Sequence, residues 1–228
     1  MSSRGSTSGC PLASSRNWRR TTLFPTMIQW SCTLRCWRVS NSTPANRDPA
    51  RSDAQAKTRL LGVLNRSLST VCGRGIWMVT PATGGSFAAV TNPPVVPLKT
   101  NNDRIYLRST VQFTYVDNPR YPGERKAATH QYAHTVGESD TLRPQLYSWE
   151  WAATEPTYPH LHLRRSDPAF EGLGKLHIPT GRVFYEDVLR FLIQEHGVEP
   201  VRDDWDDVLK DSFSRVSTYA TWGGGRRT

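Results

Sequence analysis

The hydrophobic pattern of this chain changes period once, near residue 180, and that change limits the folds open to it. From Ile105 to Tyr115 the residues alternate: Ile105, Leu107, Val111, Phe113 and Tyr115 share one side, Tyr106, Arg108, Thr110, Gln112 and Thr114 the other. A period of two in β-branched and aromatic types marks a strand with one buried face. From Tyr185 the spacing becomes helical, with Tyr185, Val188, Leu189, Leu192, Ile193 and His196 on one stripe and Glu186, Asp187, Arg190 and Glu195 largely outside it. Strands followed by helices point to an α+β fold, an antiparallel sheet with helices on one face.

Three further strands are expected at 129–136, 145–153 and 158–165, separated by short turn-rich connections. Short loops favour antiparallel neighbours, so about four strands in a meander are predicted. In the third strand Tyr147, Trp149 and Trp151 should face the core. Acids open the helix of 185–196, Gly197 suits its end and Pro200 blocks its continuation. A second helix should start near Asp203 or Asp204, with Trp205, Val208, Leu209, Phe213 and Val216 on its apolar side. Two C-terminal helices on one face of the sheet complete the expected domain, 102–218, followed by a disordered tail, 219–228.

Charge divides the chain differently. Residues 1–76 hold twelve Lys and Arg against Asp48 and Asp53, a balance of +10, and 77–228 hold seventeen basic and eighteen acidic residues, a balance of −1. The overall charge of +9 therefore says nothing about the folding part. All four cysteines precede residue 77 and all six histidines follow it. The first 76 residues are expected to be an unstructured basic segment, read as an arm for nucleic acid or anionic lipid, a targeting peptide, or a stretch outside the genuine protein with Met78 as the start. Residues 77–101, rich in Pro, Gly and Thr, read as a loop or linker. Cys32 and Cys36 lack a second ligand pair at zinc-finger spacing. No run approaches the ~20 apolar residues that span a bilayer, so a cytoplasmic protein without a membrane partner is expected.

The chemistry-bearing residues gather at Pro159-His160-Leu161-His162-Leu163-Arg164-Arg165 and at His177-Ile178-Pro179-Thr180-Gly181-Arg182. In a strand His160 and His162 point the same way, with Tyr158 and Arg164 beside them. The leucines between them should face the core and leave the imidazoles on the less apolar face. Glu150, opposite in sense to Trp149 and Trp151, shares that face, and His177 can approach from the following loop. His130, Tyr132 and His134 share a side of the second strand.

Three readings compete. His160 and His162 can be a general acid and base, with Glu150 beside them and Arg164 stabilising a phosphorane-like transition state. His160, His162 and His177 can hold zinc or iron, although no metal or other cofactor is favoured from sequence. The bland reading makes them polar residues hydrogen-bonded on a half-solvated sheet. Arg182, after Thr180-Gly181 at a helix entrance, is a candidate phosphate contact.

The run Leu176 to Val183, the helix Glu186 to Ile193, and Asp204-Trp205 with Val208-Leu209 resemble a family of uncharacterised bacterial proteins. The tryptophan pair Trp149 and Trp151 followed by Pro159, His160 and His162 is similar in layout to TumE-type toxins of toxin–antitoxin pairs. This resemblance covers about residues 104–216. It implies a toxin-like, RNA-directed protein, a ribonuclease-like enzyme with an antitoxin partner. A noncatalytic protein-interaction module and a metal-dependent enzyme are the alternatives.

Overall fold

The structure is a computed structural model, and it describes residues 49–101, 103–152, 157–163 and 176–219. The chain divides into two units, Met1–Ser42 and Thr43–Thr228, and every described residue belongs to the second.

The described residues form an α+β fold in the order α1 (Asp53–Leu68), β1 (Ile76–Pro81), β2 (Phe87–Asn92), β3 (Val96–Lys99), β4 (Arg104–Asp117), β5 (Arg125–Gly137), β6 (Gln145–Trp151), β7 (His160–Leu163), β8 (Ile178–Pro179), α2 (Tyr185–His196) and α3 (Trp205–Tyr219). The sheet has eight strands in the order β1-β2-β4-β5-β6-β7-β8, with β3 also paired to β4, and all pairs are antiparallel. The expectation of four strands is corrected by this sheet. The expected strands correspond to β4–β7, and the additional ones are β1–β3, which apart from Ile76 fall within the stretch read as a linker, and the two-residue β8.

The linker reading misled because β1, β2 and β3 are short and separated by Pro- and Gly-rich turns, and punctuation dominates composition over such lengths. The first segment also needs correction, since its part Asp53–Leu68 is helix α1. Ser52 Oγ accepts from Gln55 N at 3.3 Å and Gln55 Oε1 accepts from Arg51 N at 2.6 Å, which fixes the helix start. Residues 1–48 of that segment, and 220–228 of the expected tail, lie outside the described residues.

β4 alternates between buried and more open positions, with Ile105, Leu107, Ser109, Val111 and Phe113 buried. Its great length lets it pair with β2 and β3 along one side and β5 along the other. The core lies between this side of the sheet and the helices: Trp77, Leu107, Phe113, Val136 and Trp149 pack with Leu64 and Leu68 of α1, Tyr185, Val188, Leu189 and Leu192 of α2, and Leu209 of α3. α2 spans the expected residues. Phe184 N donates to Asp187 Oδ2 at 3.0 Å at its start, and Gly197 ends it with a φ of 64°, a left-handed conformation that glycine adopts without strain. Glu186, placed outside the apolar stripe by spacing alone, is buried.

Candidate metal centre

The β6–β7–β8 register builds the site. Trp149 opposes Leu161 and Leu161 opposes Ile178, so these residues share the helix-bearing face. Ser148 opposes His162, Glu150 opposes His160, and His160 opposes Pro179, which puts Ser148, Glu150, His160 and His162 on the other face. Alternation along β8 carries His177 to that same face, beside His162. Thr180 N donates to Pro159 O at 2.8 Å and holds the strand ends together. Val183 N donates to Tyr132 Oη at 3.0 Å and ties the following residues to β5.

His160, His162 and His177 meet there. Ring centroids are separated by 4.8 Å for His160 and His162, 4.7 Å for His160 and His177, and 4.5 Å for His162 and His177. One ring nitrogen from each lies within 4.8 Å of the others. Nitrogens bound to one zinc ion at ~2.0–2.1 Å stand roughly 3.3 Å apart in a tetrahedral shell, so small side-chain rotations complete the set. His160 and His162 are 4% and 7% exposed, whereas His177 is exposed, so the trio is rooted in the protein and open on one side.

The surroundings set orientation. His160 Nδ1 lies 2.9 Å from the Tyr158 carbonyl oxygen, and donation of its proton there leaves Nε2 as the coordinating atom. Glu150 Oε2 stands 3.8 Å from His162 Nε2. Glu150 Oε1 accepts from Ser148 Oγ at 2.6 Å, and Ser148 Oγ lies 3.0 Å from Thr135 Oγ1. Neither Ser148 nor Thr135 was legible as part of a site from sequence, since a serine and a threonine thirteen residues apart carry no motif.

The expected grouping of His160, His162, Glu150 and His177 is present. Arg164 lies outside the described residues. Arg182 is elsewhere: its guanidinium lies 5.5 Å from the ring centroids of both Trp151 and Phe184, and Trp151 opposes Tyr132 on the helix-bearing side. Burial pushes that guanidinium below its usual range. His134 is also separate from the trio. It opposes Ser109 and Trp149 and packs 5.6 Å from the Tyr185 ring, where burial depresses its imidazole to about 3. A register shift between Gln112 and Phe113 skips His130, so the expected common side of His130 and His134 is interrupted.

No family model, no curated protein and no solved structure matches the chain. No helix among the described residues is long and apolar enough to cross a membrane. The functional reading therefore stands on the geometry of the trio.

Proposed function

We propose that this protein is a metal-dependent enzyme whose centre is a divalent transition-metal ion held by His160, His162 and His177. One observation carries the reading: three imidazoles, two from β7 and one from the residue just before β8, converge on one point, with one ring nitrogen of each within 4.8 Å of the others. Three imidazoles this close repel once protonated, and two of them, His160 and His162, are buried rather than solvated. A metal ion gives all three a common acceptor for their lone pairs. Three protein ligands with a fourth position open is the arrangement of catalytic rather than structural zinc, and an ion there lowers the pKa of its bound water toward 7. The exposed ring of His177 marks the side from which a substrate reaches that position.

The setting we propose is the toxin-like, RNA-directed one, with an antitoxin protein as partner; the layout of Trp149, Trp151, Pro159, His160 and His162 supports it. A second reading keeps the RNA substrate without the metal, with His160 and His162 as acid and base. The fixed Nδ1 of His160 favours it, since Nε2 is left with its lone pair. Incubation of the purified protein with single-stranded RNA, with chelator and then with added zinc, separates the two. Cleavage that stops with chelator and returns with zinc is expected. Cleavage indifferent to chelator would favour the acid–base reading, and intact RNA under every condition would remove the RNA-directed role.

A further inference from the structure

We infer that Ser148, braced by Thr135, is a positioning residue of the metal centre: it fixes Glu150 and, through Glu150, the ring of His162. The inference rests on the metal-centre reading and extends it to residues that touch no metal.

Thr135 of β5, Ser148 of β6 and His162 of β7 are directly opposed partners in one row across three strands. Ser148 has a single hydroxyl proton, and it goes to Glu150 Oε1 at 2.6 Å. Towards Thr135, 3.0 Å away, Ser148 then acts only as acceptor, so the chain runs in one direction, from Thr135 through Ser148 to Glu150. Ser148 is fully buried, and solvent does not compete for its proton.

Glu150 is the opposite case, with a side chain 41% exposed. A glutamate that open to water samples several rotamers, and fixing one costs conformational entropy. The Ser148 bond holds one rotamer, the one that puts Oε2 3.8 Å from His162 Nε2. A ligating histidine that gives its second N–H to a carboxylate is fixed in tautomer and ring orientation and is a stronger ligand. The 3.8 Å between His162 Nε2 and Glu150 Oε2 is longer than a hydrogen bond; a small ring rotation on metal binding closes it, and His162 then coordinates through Nδ1, while His160, whose Nδ1 faces the Tyr158 carbonyl, coordinates through Nε2. The centre therefore uses a mixed set of ring nitrogens.

The test combines zinc affinity, by competition with a chromophoric chelator, with imidazole nitrogen shifts of zinc-loaded protein labelled at histidine. Ser148→Ala should weaken zinc binding about 10–100-fold and remove the Nε2–H signature of His162. Ser148→Thr, which keeps the hydroxyl, should restore both. Glu150→Gln alters a half-exposed side chain, threatens folding less, and should reproduce the loss. Unfolding of the zinc-free proteins shows whether the fold is intact. Wild-type zinc affinity in well-folded Ser148→Ala and Glu150→Gln, or coordination of His162 through Nε2, would overturn the inference and leave the metal centre standing. A wild-type protein that binds no zinc would remove the centre and this inference with it.

Discussion

Two buried titratable residues give the folded domain a pH signature independent of the metal. Glu186 is fully buried at the start of α2, its carboxylate accepting from Ser67 Oγ of α1 at 2.7 Å, and burial raises it to about 7. A raised carboxyl contributes stability that is complete below its unfolded pKa of about 4.5 and is lost as pH rises through about 7. His134 works in the opposite sense. Burial depresses it to about 3, so its contribution is complete above the unfolded value of about 6.5 and is lost as pH falls below that. Each slope is about 1.4 kcal/mol per pH unit, and the two oppose each other between about 4.5 and 6.5. Chemical denaturation across pH 4 to 8 should show Glu186→Gln gaining on the wild type as pH rises, by up to roughly 3 kcal/mol. Parallel curves for the two proteins would mean that Glu186 is ionised and solvated in the fold. Spacing did not reveal this residue, because an acid in the first turn of a helix ordinarily faces solvent beside the positive dipole end. Its burial is set by α1, an element contributed from far away in sequence.

At the scale of elements, α2 was legible to the residue and α1 was not, for reasons that can be named. The stripe of α2 stood in a neutral stretch between a clear start and Gly197. α1 carries comparable signals, the Ser52–Gln55 cap and buried Ala56, Val63, Leu64 and Leu68, but they sit inside a run whose basic excess reads as disorder when averaged. Leu189→Ala should cost about 2–5 kcal/mol of stability, since Leu189 is wholly buried. Arg190→Ala should cost less than about 1 kcal/mol, because its ion pair with Asp206 at 3.2 Å is partly solvated. Equal losses would contradict the face assigned to α2. The start at Met78 suggested by composition meets a different expectation. It removes α1 and with it Leu64, Leu68 and Trp77 from the core. A chain beginning at Met78 should lose the cooperative unfolding transition, and retention of a full-sized transition would show α1 to be dispensable.

Over the whole molecule, the sheet separates two kinds of work. Its helix-bearing side holds the apolar core, together with His134, and its other side carries the trio His160, His162 and His177. The alternation of His160 and His162 with Leu161 and Leu163 assigned the sides correctly but not the burial: the imidazoles are 4% and 7% exposed, whereas the two leucines are only half-buried, so the preference for burying leucines over imidazoles did not hold here. His177 was expected to approach from a loop; what was not legible is the two-residue pairing of β8 with β7 that brings it there, too short to leave a period. The measurement that bears most directly on the metal centre is elemental analysis of the full chain, expressed and purified without chelator. The wild type should be compared with a variant carrying His160→Ala, His162→Ala and His177→Ala. Close to one transition-metal ion per chain is expected in the wild type, zinc foremost, and background levels in the variant, with both proteins folded. A wild type at background, or a variant that keeps the same metal content, would contradict the assignment of these three imidazoles as the centre.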